Sequence, residues 1–116
     1  MKVYKIYKDD AIEAKTEEQA LVDLEEQNSI VARKSYTTDL EEARKIYDAN
    51  VAYLKENACY PVKVSGPVPF YTFRGVILES AEVDDDSIAE DMTAEQMYNE
   101  GYAFDLIDAY VQGFEQ

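Results

Sequence analysis

The sequence contains no histidine and a single cysteine, Cys59, and these shortages remove much of ordinary enzyme chemistry. Without imidazole there is no histidine general base, no Ser–His–Asp triad and no histidine metal ligand. A lone cysteine forms no disulfide within the chain, which fits a reducing compartment. Ala58 and Tyr60 flank Cys59 and supply no basic group to activate its thiol, so we interpret it as a small core residue.

Long apolar runs are also missing, and none approaches the roughly 20 residues of a transmembrane helix. The first ten residues, MKVYKIYKDD, have no continuous apolar stretch and no small-residue cleavage site, so they do not resemble a signal peptide. We therefore expect a cytoplasmic protein. Hydrophobic residues make up 47% of the 116 residues, enough for a core, and the length predicts one α+β domain over residues 1–116.

Cations are absent from the last third of the chain. Residues 75–116 hold 12 acids and no Lys or Arg, whereas residues 1–74 hold 13 acids and all 11 cations. The two segments carry net charges of −12 and −2, which together give the −14 of the whole chain. Such a surface repels the phosphates of nucleic acids and anionic membranes, so we expect neither to bind directly. The expected partners are basic proteins or cations.

Local patterns in the first half of the chain predict alternating strands and helices. Residues 3–8 alternate as a strand, Asp9-Asp10 indicates a turn, and residues 11–15 form a weak second strand of a hairpin. Thr16, followed three residues later by a glutamine, predicts a capping box and a helix to about residue 27. A strand over residues 29–36 comes next.

A second capping box, Thr38 with Glu41, opens the most regular helix of the chain. Its apolar residues repeat at helical spacing and predict a helix to about residue 57. Residues 59–64 form a short strand candidate that contains Pro61, which places it at a sheet edge or strand start, and a loop follows over residues 65–69. Residues 70–83 then predict the longest strand, or two strands bent at Gly75.

A third capping box, Thr93 with Gln96, predicts a helix over residues 94–114 that Gly101 interrupts. One broad arc of this helix is apolar, and the stripe on its opposite side consists of Asp105, Asp108, Gln112 and Glu115. The resulting order is β(β)αβαββα. It favours an α+β fold with a small, mainly antiparallel sheet of about four to five strands and three packed helices.

Motifs for metals, cofactors and catalysis are not found. A calcium loop beginning at Asp84 would have Glu95 at its twelfth position, but Ala89 replaces the glycine at the sixth. Ile88 stands where the fifth position needs a ligand. The loop SGPVP lacks the spacing that cradles phosphate. We therefore expect no metal, no cofactor and no enzymatic activity, since the many carboxylates mark no particular acid–base pair.

The stretch LESAEVDDDSIAEDMTAEQMYNE, residues 78–100, carries nine carboxylates and no cation. Like charges this close oppose folding, and the helix dipole accounts for only two of them, so we interpret the surface as one for binding. Its carboxylates would replace phosphates in a basic nucleic-acid-binding groove, with tyrosines as anchors. The residues assigned to the interface are Glu79, Glu82, Asp84, Asp85, Asp86, Glu90, Asp91, Tyr98, Tyr102, Asp105, Asp108 and Glu115.

In composition and size the chain resembles the anti-CRISPR and anti-restriction inhibitors that phages and mobile elements direct against host defence nucleases. The resemblance is one of general character and carries over no residue roles. It implies a non-enzymatic DNA mimic that acts as an inhibitor. Three alternatives stay open: an immunity or antitoxin protein against a toxin nuclease, a structural domain whose acidity serves solubility, and an enzyme with perturbed carboxylates in a deep pocket. The apolar arc of the last predicted helix leaves a homodimer open.

Overall fold

This computed structural model describes residues 1–26, 33–57 and 71–113 of the chain. They form an antiparallel sheet with helices on both faces. Its elements are β1 (Lys2–Ala14), α1 (Glu17–Glu26), β2 (Arg33–Thr37), α2 (Leu40–Glu56), β3 (Tyr71–Glu82), α3 (Ala94–Asn99) and β4 (Tyr102–Gly113). A 3-10 turn, Asp85–Ser87, lies between β3 and α3. The described strands are ordered β2-β1-β3-β4. This confirms the predicted α+β class with an antiparallel sheet.

β1 is one continuous strand, and the hairpin predicted around Asp9-Asp10 is wrong. The strand pairs with β3 along its whole length, and the register shifts between Asp9 and Ile12. Asp9 is still paired with Gly75, so the bulge consists of Asp10 and Ala11. The pair Asp9-Asp10 suits a turn as well as the start of a bulge. The long partner strand decides between them, because it satisfies the backbone groups on both sides of the irregularity.

The helix predicted over residues 94–114 is wrong in its second half. α3 ends at Asn99, and β4 then pairs with β3 from Tyr102 to Gly113. The segment is rich in aromatic and β-branched residues, which suit a strand. Gly101 stands at the reversal because space is short: a Cβ there would lie 2.8 Å from the Cβ of Ala81 and close to two carbonyl oxygens.

Helices cover both faces of the sheet, so the middle of β3 is buried on both sides. The layer under α2 consists of Tyr4, Ile6, Ala43, Tyr47, Leu54, Val76 and Leu78. The layer under α1, on the opposite face, consists of Tyr7, Ile12, Ala14, Ala20, Leu24, Phe73 and Ile77. Beside it, α3 packs through Val3, Ala81, Val83 and Tyr98. Each large apolar side chain buried in this way stabilises the fold by about 1.5–3 kcal/mol.

Gly75 lies in an unbroken strand and does not divide β3 in two. A Cβ at this position would collide with the side chain of Leu24, which α1 presses onto the sheet. The glycine therefore serves the packing of a helix on a strand. Of the two sequence alternatives for this region, the single long strand is confirmed.

Side chains cap the helices close to the predicted positions. The backbone N–H of Gln19 donates to Thr16 Oγ1 at 3.1 Å, and Thr93 forms the predicted reciprocal capping box with Gln96. α2 begins one residue later than its capping box indicated. Its N-cap is Asp39, whose Oδ1 accepts from the backbone N–H of Glu41 at 2.9 Å.

Some sequence predictions fall outside the described residues, namely the strand over residues 59–64 and the loop over residues 65–69. The strand predicted over residues 29–36 is described only from Arg33, where β2 begins. Among the helices of the described ranges, none is both long enough and apolar enough to cross a membrane.

Candidate protein-binding surface

Acidic residues gather at one end of the sheet, where β3 finishes and β4 starts. Asp84, Asp85 and Asp86 follow β3 in an exposed segment. Tyr102 of β4 pairs with Glu82, and its hydroxyl donates to Asp84 Oδ1 at 2.7 Å. The carboxylates of Asp91 and Glu100 line a pocket of about 380 Å³ next to α3. We name this surface the acidic end, and its residues are Glu82, Asp84, Asp85, Asp86, Glu90, Asp91 and Glu100.

Little positive charge reaches the acidic end. The amino group of Met1 lies 3.7 Å from Glu82 Oε2 and donates to the carbonyl of Val83 at 3.1 Å. In the described part of the chain, the other six carboxylates of the acidic end have no ion pair within 4 Å. Their mutual repulsion opposes the compact state, and nothing in the described fold compensates for most of it.

The acidic stripe predicted on a helix is wrong for the described residues, because Asp105, Asp108 and Gln112 belong to a strand. Asp105 and Asp108 belong to β4, opposite Ser80 and Leu78 of β3. Glu115 lies outside the described residues. Asp105 is exposed and extends the negative surface away from the acidic end.

Asp108 is engaged by α2 and is not free for a partner. Arg44 Nη1 donates to Asp108 Oδ2 at 2.8 Å, and this bond holds the pKa of the carboxyl below its usual range. Burial and the charge of Asp108 raise the pKa of Tyr47 to about 12, so that hydroxyl stays protonated. The structure therefore uses Asp108 to join β4 to α2.

Glu79 points into the molecule, between two tyrosines. Its carboxylate accepts from Tyr7 Oη at 2.8 Å and from Tyr98 Oη at 3.0 Å. Burial, together with the charge of Glu79, raises the pKa of both tyrosines above the ordinary value, so both remain donors. Tyr98 is only 5% exposed. These three residues form a tyrosine–glutamate cluster. Glu79 and Tyr98, both predicted to lie at the interface, are therefore bonded to each other inside the fold.

A pocket of about 360 Å³ opens beside this cluster. Its walls include two lysines, two carboxylates and three aromatic rings. These are Lys5, Lys34, Glu79, Glu95, Tyr36, Tyr98 and Phe104. Lys5 is 2% exposed, and its Nζ lies 4.9 Å from the ring centroid of Tyr7. Burial lowers the pKa of Lys5, and neighbouring Lys34 lowers it further. The pocket thus brings two lysines and two carboxylates together between the sheet and α3, and Glu79 and Glu95 partly offset the lowering of the Lys5 pKa.

Sequence reasoning missed this network because its lysines looked like the solvent face of a strand. Lys5 stands between Val3 and Tyr7 on one face of β1, and a lysine there is buried only if a helix covers that face. The burial of Lys5 could have been inferred from the position of β1 in the middle of the sheet. The pattern of β1 does not show that position, because it depends on pairing with β3, which lies far along the chain.

The first half of β4 exposes large apolar side chains beside the acidic end. Tyr102, Phe104 and Leu106 are 50%, 57% and 49% exposed. Ala103 among them has a φ of 51°, and the register with β3 shifts in this region. Tyr102, a predicted interface residue, is thus half exposed. Phe104 and Leu106 were not predicted, since a helix had been expected here.

Within residues 1–26, 33–57 and 71–113, no group of three or more cysteine or acidic side chains is arranged to hold a metal ion. The chain matches no protein-family model, no curated protein and no solved structure. The acidic end and the exposed apolar half of β4 are the features of the described structure that bear on function.

Proposed function

We propose that this chain is a non-enzymatic binding protein that occupies a basic groove of another protein and mimics nucleic acid there. One observation carries the proposal: the exposed, unneutralised acidic end adjoins the exposed aromatic rings of Tyr102 and Phe104. Protein interfaces combine aromatic anchors with a charged rim in this way. A basic groove would supply the countercharge that the fold itself lacks.

Electrostatics would govern how such a partner is found. Residues 75–116 carry a net charge of −12, and a field of one sign speeds the encounter with an oppositely charged surface. Carboxylates fixed on a folded scaffold would take the places of phosphates. Salt at about 0.15 M screens charges beyond roughly 8 Å, so association should weaken steeply as salt rises. Nucleic acid that uses the same groove should compete with the chain for it.

The experiment compares the wild-type chain with a five-site variant of exposed acids: Asp85→Asn, Asp86→Asn, Glu90→Gln, Asp91→Asn and Asp105→Asn. A matched control removes the same charge elsewhere, through Glu13→Gln, Glu18→Gln, Glu26→Gln, Asp48→Asn and Glu56→Gln. None of these ten carboxylates has a hydrogen bond or ion pair within the described structure. Folding of each variant is checked first by circular dichroism.

Each chain is immobilised and used to capture proteins from a nuclease-treated bacterial lysate, and the captured partner is purified and titrated at low and high salt. Wild type and control should bind a basic nucleic-acid-binding protein, and the five-site variant should lose at least about tenfold in affinity, or about 1.4 kcal/mol. Added duplex DNA should displace the chain. Equal affinity of the two variants would refute the acidic end as the binding surface.

A further inference from the structure

We infer that the exposed part of β4 binds an extended, basic segment of the partner as an additional strand of the sheet. The inference rests on the proposed function for the charge of the partner, and it adds the way in which that partner is held. Main-chain hydrogen bonds would supply affinity, and alternate side chains would supply specificity.

Within the described residues, β4 carries little of the protection that usually blocks a sheet edge. In the described part of the chain it is the last strand of the sheet, paired only with β3. It runs for 12 residues and contains neither lysine nor proline, the residues that commonly block unwanted pairing. Its residues 102–106 are all exposed. An edge segment that is apolar and exposed in the described structure is a template for another strand.

Two irregularities in the pairing of β4 with β3 limit where a new strand fits. One falls at Ala103, whose φ is 51°. The other is Ile107, an extra residue of β4 that has no partner opposite it on β3. Bulges bend a strand and interrupt its ladder. The added strand should therefore be short and centred on residues 104–106.

The two faces of this short segment differ, and they define the partner's sequence pattern. Phe104 packs on the α3 side, with its ring centroid 5.3 Å from that of Tyr98. Leu106 lies opposite Glu79 and shares that face, whereas Asp105 lies opposite Ser80 on the other face. A strand that pairs here gains most from apolar residues on one face and Lys or Arg on the other.

Charge decides between a basic segment and a second copy of this chain. The charged side chains of β4 and of the segment that precedes it are all acids, including Asp84, Glu100 and Asp105. Pairing two copies through β4 would bring the acids of one copy close to those of the other, which disfavours strand pairing. A segment with lysines at alternate positions brings opposite charges together instead.

The test uses four synthetic peptides with the full-length chain. The first alternates valine and lysine, and the second has the same side chains with every other backbone nitrogen methylated, which removes donors along one edge. The third replaces lysine by glutamate, and the fourth is a proline-interrupted valine–lysine peptide. Binding is followed by titration calorimetry, and hydrogen exchange measured by NMR reports which amides of β4 become protected.

We expect the first peptide to bind at least tenfold more tightly than the other three and to protect outward-facing amides of residues 102–106. Leu106→Lys should weaken its binding at least tenfold, because it places a lysine on the edge. Val22→Lys is the matched control, since Val22 is 44% exposed on the surface of α1 and should have no effect.

Three results would overturn strand addition, and they leave the proposed function to its own test. Equal, salt-sensitive binding of methylated and unmethylated peptides would mean that charge acts without pairing, so the acidic surface would stand while strand addition fails. Binding of none of the peptides would also refute it. Protection of β4 amides without peptide, with a dimer in sedimentation, would identify a second copy as the occupant.

Discussion

At the scale of single residues, Glu79 depends on two hydroxyl groups for its place inside the fold. Tyr98→Phe removes the donor 3.0 Å from Glu79 Oε2 and leaves a partly buried carboxylate with one bond fewer. Hydrogen bonds to charged groups contribute about 1.5–3 kcal/mol, so we expect a loss of that size in the free energy of unfolding, measured in urea. The control is Tyr102→Phe, whose bond to Asp84 is exposed to solvent, so that its loss should change the free energy of unfolding far less. Equal losses would contradict the role of the cluster.

The same residues predict how stability responds to alkali. The pKa of Tyr7 and Tyr98 is raised in the folded chain, chiefly by burial. A group whose pKa is higher in the folded state stabilises the fold below its unfolded pKa, and that contribution disappears as pH rises. The free energy of unfolding should therefore fall above about pH 10, the ordinary value for tyrosine. A double variant with phenylalanine at both positions should fall less steeply, and an unchanged slope would count against this assignment.

At the scale of elements, α2 has two neighbouring candidates for its N-cap. Asp39→Ala removes the carboxylate that accepts from the N–H of Glu41 and should cost about 1 kcal/mol of unfolding free energy. Thr38→Ala, one residue earlier, should change it by less than about 0.5 kcal/mol. Urea denaturation of the two variants measures the difference. A larger loss at Thr38 would restore the capping box that the sequence pattern suggested.

Sequence signals predicted those elements whose cause is local. α1 and α2 follow from caps and helical spacing, and β3 follows from a run of apolar residues. β4 could not be predicted in this way, because its dense apolar residues also fit a broad helical arc and its pairing is decided by β3. β1 was misread for the same reason, since a bulge and a turn look alike until the partner strand is known.

The acidic surface divides in a similar way. Composition alone found the exposed residues from Asp84 to Asp91, since no nearby cation offsets them. It failed for Glu79 and Asp108, whose partners Tyr7 and Arg44 lie 72 and 64 residues away in the chain. Exposure of a charged residue follows from its neighbours in space, which a pattern along the chain does not contain.

At the scale of the whole molecule, a net charge of −14 should make stability depend on salt. Repulsion within the acidic end is screened as the Debye length falls from about 10 Å at 0.1 M salt to about 3 Å at 1 M. We expect the melting temperature to rise by a few degrees with added NaCl, which is the rise that a stabilisation of roughly 1 kcal/mol produces in a small domain. The five-site amide variant should start higher and gain less. A melting temperature that falls with salt would contradict this account.

The pairing of β1 with β3 also has a consequence in time. β1 ends at Ala14 and its central partner begins at Tyr71, so synthesis at about 5–20 residues per second separates them by roughly 3–11 s. Of the strands in the described ranges, β2 alone can pair with β1 during that interval, over residues 4–8, which leaves the other edge of β1 open to strands of other chains.

Lys5 and Lys8 are both almost fully buried in the finished fold, and removing their ammonium groups from water opposes folding. A contact with an aromatic ring offsets part of this for Lys8, whose Nζ lies 4.1 Å from the ring centroid of Tyr53. In the nascent chain their charge interrupts an apolar strand and disfavours its association with others. Replacing both by methionine should therefore increase light scattering during refolding at micromolar concentration, and unchanged scattering would refute the idea. Higher scattering of the variant would mean that the lysines of β1 protect the strand during the seconds before β3 exists.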